Sequence, residues 1–340
     1  MAKITIIGTG LIGTSLGLAL KQSQLKGLQV VGTDSKHEAR NGAQKRGAFD
    51  RMENRLFTAI EGADMVVLAT PVMAMKEVME IIGPELPEGS VVTDVGSSKK
   101  VVLEWADQHL PDTVDFVGGH PMAGKETAGP EAADGNLFVG KTYCVIPSRR
   151  ADRQAVAEVT TMIEAIGARP YFIGVDEHES FVAAASHLPF LLSTALISCT
   201  AKSANWDDIA QLASSGFHDL TRLASGDAVM HRDICVTNRE PIVAWIDAFI
   251  RELYEFRKLL DPEAEPDLEA IKGVFEQASD ARAKWLSGVL NPRARQYNSQ
   301  QEVPTFGESM GEMFMGRKAM EVNKRLLGSW RDQGSKSKNK

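Results

Sequence analysis

A chain of 340 residues is long enough for two domains of ordinary size, and 43% hydrophobic with 24% charged residues describes a globular protein. A formal net charge of −7 argues against nucleic acid as the main partner, because polyanion binders carry a basic face. Cys144, Cys199 and Cys235 lie too far apart for metal-ligand spacing or a disulfide framework, and read as reduced thiols of a cytoplasmic protein.

The amino terminus offers only Ile4–Ile7 before Gly8, too short for a signal-peptide core, and no apolar run is expected to reach the ~18 residues of a membrane span. No membrane partner is expected. Ile4–Ile7 reads instead as a buried strand, and Gly8-Thr9-Gly10-Leu11-Ile12-Gly13 opens the helix Leu11–Lys21. Strand, glycine turn and helix in that order form a dinucleotide fingerprint. Gly8 permits the tight turn, Gly10 lets backbone approach a pyrophosphate, and Gly13 allows close helix–strand packing. The helix amino terminus supplies unpaired N–H groups and the positive end of its dipole. Leu28–Thr33 is the second strand, and Asp34 at its end is placed to accept from both ribose hydroxyls. A carboxylate there repels a 2′-phosphate, favouring NAD over NADP, although Lys36 close by weakens that preference.

The helix Glu38–Arg46 and the strand Met65–Ala69 follow. Thr70-Pro71 then either lines the nicotinamide side of the cleft or simply starts the helix Met73–Ile82. Val91–Asp94 is another strand, ending on Val95-Gly96-Ser97-Ser98-Lys99, where a serine suits both a site and a helix cap. The run Phe116–Gly119 is expected to stop abruptly at His120-Pro121, leaving an imidazole at the carboxyl end of a strand, where α/β sheets place their chemistry. Histidine exchanges a proton near neutrality, which makes His120 a candidate acid–base group and Ser97 its neighbour. Thr142–Ile146, the helix Ala155–Ile166 and Pro170–Ile173 complete an α/β Rossmann-type domain over residues 1–174.

Strand signals then vanish, and an all-helical domain is expected over 175–290. Phe181–Thr200 is apolar on almost every face, so it belongs in a core or at a subunit interface, and a homodimer through this domain is expected. Ile242–Leu260 and Asp267–Gly288 continue the helices. Residues 291–340 read as a polar, basic tail, partly disordered.

Five segments together resemble the prephenate/arogenate dehydrogenase family of tyrosine biosynthesis. They are Gly8–Gly13, Asp94-Val95-Gly96-Ser97, Gly118–Gly124, Ser186-His187-Leu188-Pro189, and Gly216-Phe217-His218-Asp219-Leu220-Thr221-Arg222. The resemblance implies NAD as cofactor and prephenate or arogenate as small-molecule substrate. It assigns His120 to the substrate hydroxyl as proton acceptor and Ser97 to the histidine and the cofactor–substrate junction. It gives Arg222 to a substrate carboxylate, His187 to the substrate side, and Glu126 to the cleft mouth. Arg222 suits its task through the bidentate guanidinium fork.

The chain departs from the family pattern at His218, at Asp227-Ala228…His231…Asp233-Ile234, at Phe190 and at Lys125. These changes flank the substrate side. Lys125, His218 and His231 are basic or neutral, which suits a keto acid better than the ammonium of arogenate. Arogenate dehydrogenase is the alternative, followed by another Rossmann-plus-helical NAD(P) dehydrogenase and by a non-catalytic NAD-binding protein. The lysine-dependent hydroxy-acid dehydrogenases fit less well, because Phe181–Thr200 contains no lysine.

Overall fold

The computed structural model describes residues 2–288, so the expected tail over 291–340 lies outside it. Eight strands form one sheet in the order β3-β2-β1-β4-β5-β6-β7-β8. They are β1 (Ala2–Ile7), β2 (Leu28–Thr33), β3 (Arg51–Glu53), β4 (Met65–Leu68), β5 (Val91–Asp94), β6 (Asp115–Pro121), β7 (Thr142–Pro147) and β8 (Arg169–Phe172). The first six run parallel in the 3-2-1-4-5-6 order of a dinucleotide-binding sheet. β4 and β5 are buried on both faces, β4 as a continuous apolar run and β5 with Thr93 and Asp94 enclosed as well. The helices are α1 (Leu11–Gln22), α2 (His37–Lys45), α3 (Leu56–Ile60), α4 (Val72–Ile82), α5 (Lys100–His109) and α6 (Arg153–Ala165). They pack over two apolar clusters, one containing Leu16, Val67 and Val159, the other Met75, Met79 and Val102.

Two features depart from a simple parallel Rossmann sheet that ends before His120. β7 runs antiparallel to β6, and β8 parallel to β7, so the sheet is not parallel throughout. β6 also does not stop before His120. Pairing with β5 ends at Val117↔Thr93, but β7 carries the ladder on through His120↔Cys144 to Pro121↔Tyr143. His120 is therefore held inside a strand, not in a turn. Among the elements the sequence pattern missed, β3 is too short to show a period, and α5 opens on charged residues.

Past β8 the chain is helical: α7 (Val175–Val182), a π turn (Ala183–His187), α8 (Leu188–Ala201), α9 (Trp206–Leu212), α10 (Ser215–Thr221), α11 (Ala228–Thr237), α12 (Arg239–Leu259) and α13 (Leu268–Leu286). The π turn falls just before Pro189, which lacks the N–H a regular turn would use.

Val175–Ala201 is a passage of 27 residues with a mean hydropathy of 1.6 in its best window, long and apolar enough to cross a membrane by length and composition. The expectation that no segment passes that test is corrected. His187 interrupts the run without lowering its mean enough. The passage is also not buried all round within one chain, since only 28% of that window is covered and Phe181 is exposed.

Candidate active site

The carboxyl ends of β1 and β4 diverge at the point where strand order reverses, and the glycine turn sits there. Gly8 has φ +99°, and a Cβ on it would lie 2.5 Å from the Ala69 carbonyl oxygen. A Cβ on Gly13 would meet the Gly8 carbonyl at 1.9 Å, so α1 packs against the turn only because that atom is missing. Gly10 is the contrast: nothing lies within 4 Å of its Cβ position, which leaves room for a pyrophosphate against the backbone at the start of α1, with Leu11 and Ile12. Beside the turn, the buried Thr70 hydroxyl has no hydrogen-bond partner, as expected of a group that meets a ligand. Pro71 caps α4. Asp34 is pinned by the Thr9 N–H at 2.7 Å and the Lys36 N–H at 2.8 Å, which fixes its carboxylate at the end of β2. These residues fit a dinucleotide.

His120 is 7% exposed. The preceding glycine is a steric requirement, because a Cβ on Gly119 would lie 2.5 Å from the Asp94 carbonyl oxygen and strike the Tyr143 ring. The imidazole Nδ1 lies 2.9 Å from Nε2 of His178, a fully buried residue of α7. The two rings meet edge to face, 5.2 Å between centroids. His178 Nδ1 in turn lies 3.6 Å from Glu179 Oε1, in ion-pair range but too far for a hydrogen bond. Glu179 Oε1 accepts from the backbone N–H groups of Lys99 and Lys100, so a carboxylate from α7 caps α5 across the junction. Asn238 ties the far side, donating to the Glu179 carbonyl at 2.8 Å and lying 3.1 Å from His187 Nδ1.

Beneath these groups Lys99 and Asp94 form a fully buried ion pair. Asp94 also accepts from the Gly96 N–H at 2.8 Å and the Gly119 N–H at 3.1 Å. Removing one member of such a pair typically costs about 3–5 kcal/mol, because the other charge is left buried alone.

Burial, reinforced by His178, Lys99 and His187, holds His120 well below the ordinary imidazole range, so it is neutral and able to accept a proton. Burial takes His187 down to about 4 against the opposing pull of Glu179. Burial alone would raise the Glu179 carboxyl, but the His178 ring and the two backbone N–H groups outweigh it and keep it below the ordinary carboxylate range. Burial pushes the Cys144 thiol up to about 11, so the cysteine opposite His120 stays a thiol.

On the substrate side, Arg222 and Glu126, singled out separately in the sequence, form an ion pair with each other at a half-exposed position. His187 is fully buried, and its Nε2 has no partner. Phe190 stacks flat on His231 at 4.2 Å and lies 6.1 Å from the His187 ring. Lys125 turns outward to Asp134 at 3.4 Å. Ser97 is half-buried in the β5–α5 connection, and the partner of His120 Nδ1 is His178 Nε2 instead. Its neighbour Ser98 bonds Thr237 of α11 at 2.6 Å.

The sequence pattern missed His178, Glu179 and Asn238. His178 and Glu179 lie among the polar residues of α7 and Asn238 between α11 and α12, and such residues are identified only by what the fold brings opposite them.

A sheet of this order with a glycine turn, and a buried neutral histidine closed over by a helical domain, define a nicotinamide-dependent dehydrogenase. The family model for the prephenate dehydrogenase nucleotide-binding domain matches residues 16–172, and that for the prephenate dehydrogenase dimerization domain matches 175–273. The chain is 33% identical to the prephenate dehydrogenase of Bacillus subtilis over 281 residues, 82% of this chain and 75% of that one. Its fold is similar to the structure of prephenate dehydrogenase from A. aeolicus in complex with hydroxyphenyl propionate and NAD+. That match has a TM-score of 0.77 and 28% identity, covering 84% of this chain and 98% of the other. Arogenate dehydrogenase from Synechocystis is similar at a TM-score of 0.70 and 28% identity, over 83% and 99% of the two chains. The chain belongs to the prephenate dehydrogenase family.

Proposed function

We propose that this enzyme oxidises prephenate with NAD+, releasing carbon dioxide and forming 4-hydroxyphenylpyruvate. The observation that carries the reading is His120, neutral and buried at the carboxyl end of β6, with no protein partner on Nε2 among the described residues. The substrate bears a hydroxyl on a cyclohexadiene ring opposite a quaternary carbon carrying carboxylate. Gly8–Gly13, Asp34, Thr70 and Pro71 would hold NAD+, which would supply the hydride acceptor for the hydroxyl-bearing carbon. His120 Nε2 takes the hydroxyl proton as that hydride leaves. The electron pair released with carbon dioxide completes an aromatic ring, and the phenolate oxygen takes the proton back. No net proton is released, so the protein's work is to position the ring and lend one base.

Arg222 holds a substrate carboxylate, exchanging its partner Glu126 for the ligand, and the unpartnered Nε2 of buried His187 meets the substrate from the helical side. Ser97 stands at the cofactor–substrate junction. Support for a homodimer comes from the dimerization-domain match together with the exposed apolar residues of α10, α12 and α13. The cysteines among the described residues are free, which agrees with a cytoplasmic enzyme.

Comparing kcat/KM on prephenate and arogenate with NAD+ tests the substrate assignment. Prephenate should be the better substrate. A higher value for arogenate would transfer the assignment to the amino acid.

A further inference from the structure

We propose that His178, backed by Glu179, is the positioning residue that makes His120 a base, and that the two rings form a closed store for the substrate proton. The inference rests on the reading of His120 as proton acceptor. It is carried by three observations: the 2.9 Å contact between His120 Nδ1 and His178 Nε2, the Glu179 carboxylate 3.6 Å from His178 Nδ1, and the complete burial of His178.

The chemistry follows from tautomers. A carboxylate beside His178 Nδ1 draws the proton of the neutral ring to that nitrogen and leaves Nε2 as an acceptor. His120 must then donate from Nδ1, so its lone pair lies on Nε2. An Nε2–H tautomer of His120 could not accept the hydroxyl proton; His178 excludes it. When the proton arrives at Nε2, His120 passes its Nδ1 proton to His178 Nε2. The charge comes to rest on His178, next to the Glu179 anion. The phenolate formed on aromatisation is far more basic than a buried imidazole, a tyrosine-like phenol titrating near ~10, so both transfers reverse and the oxygen is reprotonated. Every proton returns to its origin. A ring with no exposure is therefore no handicap, because nothing has to leave for solvent.

The surroundings make the need concrete. Facing His120 are His178 and Glu179 of α7, His187 of the π turn, the Lys99–Asp94 pair from the β5–α5 connection, and Cys144 on β7. Lys99 and His187 disfavour positive charge on His120. Glu179 is the anion that opposes them without touching His120. Its bonds to the Lys99 and Lys100 N–H groups fix it in place, so the helical domain sets the base that the sheet presents.

The test uses the full-length enzyme with His178→Phe, His178→Gln and Glu179→Gln. His178→Phe should lower kcat about 10²-fold with unchanged affinity for NAD+. His178→Gln, whose carbonyl can still accept from His120 Nδ1, should recover at least about tenfold of that loss, and it covers the case in which the phenylalanine variant does not fold. Glu179→Gln should move the acid limb of kcat/KM to lower pH by about one unit, the scale of a nearby counter-charge. With ¹⁵N-labelled histidine, the wild type and Glu179→Gln should show a low-field N–H···N proton that His178→Phe lacks. The proposal is overturned if the acid limb stays in place in Glu179→Gln, if glutamine rescues nothing over phenylalanine, or if the wild type lacks that proton. A His120→Asn variant with near-normal turnover would instead overturn the underlying reading of His120.

Discussion

In the sheet half of the molecule the apolar side chains close over one another: Val66, Val67, Leu68, Val91 and Val92 have no exposure at all. In the helical half the buried cluster is Ala183, Phe190, Ile234 and Ile242, while Leu212, Leu220, Leu253, Phe275 and Trp285 are more than half exposed. One half is a finished core; the other has apolar surface that a single chain does not cover. The difference matters for chemistry because the site draws on both. β1, β4, β5 and β6 supply the glycine turn, Asp94 and His120 from a rigid frame. α7, the π turn and α10–α11 supply His178, Glu179, His187 and the approach to Arg222 from the half that is open. The proposed base is thus held by the closed packing and the proposed substrate side by the open one.

The sharpest way to break this comparison is to remove the sheet's proposed reacting group. His120→Asn should lower kcat by about 10²–10⁴-fold, the usual worth of a general base, with NAD+ affinity retained in an equilibrium titration. Retained turnover would mean that the sheet half supplies only a cofactor platform. Arg222→Ala addresses the helical side. Loss of a charged hydrogen-bonding partner should raise KM for prephenate about 10- to 100-fold with a smaller change in kcat. An unchanged KM would move the carboxylate site elsewhere.

The proposed dimer follows directly from the unfinished half. Sedimentation equilibrium at micromolar concentration should give twice the 37.0 kDa chain mass, and a monomer would contradict it. The smallest expected effect is on pH stability. His187, ordinarily near 6.5, sits at about 4 in the fold, and His120 is lowered as well. As pH falls through that window the unfolded chain binds protons that the folded chain refuses. Stability is therefore complete above 6.5 and lost progressively toward 4, and Tm should fall over that range. His187→Asn should flatten the slope; an equal slope would place the acid-sensitive group elsewhere.

Much of the sheet half was legible in the sequence because its signals are local. Strand runs, the glycine turn and Asp34 at the end of β2 each follow from neighbours in the chain. His120 stood out through Gly118-Gly119, although the strand continues through it because β7 pairs antiparallel, a choice no local pattern encodes. The helical half was legible as helix but not as surface. A run such as Phe181–Thr200 reads as buried whether its partner is the same chain or another copy. His178 and Glu179 were hidden for a related reason. Their meaning lies in the groups brought opposite them from β6 and α5, far away in sequence. Arg222 and Glu126 were both singled out, yet their pairing with each other appears only in three dimensions.

The central claim is that these two halves together carry out one oxidative decarboxylation. Its most direct measurement is product stoichiometry from purified enzyme, prephenate and NAD+. The account predicts 4-hydroxyphenylpyruvate, carbon dioxide and NADH in equal amounts. Absence of NADH formation with both prephenate and arogenate would contradict it.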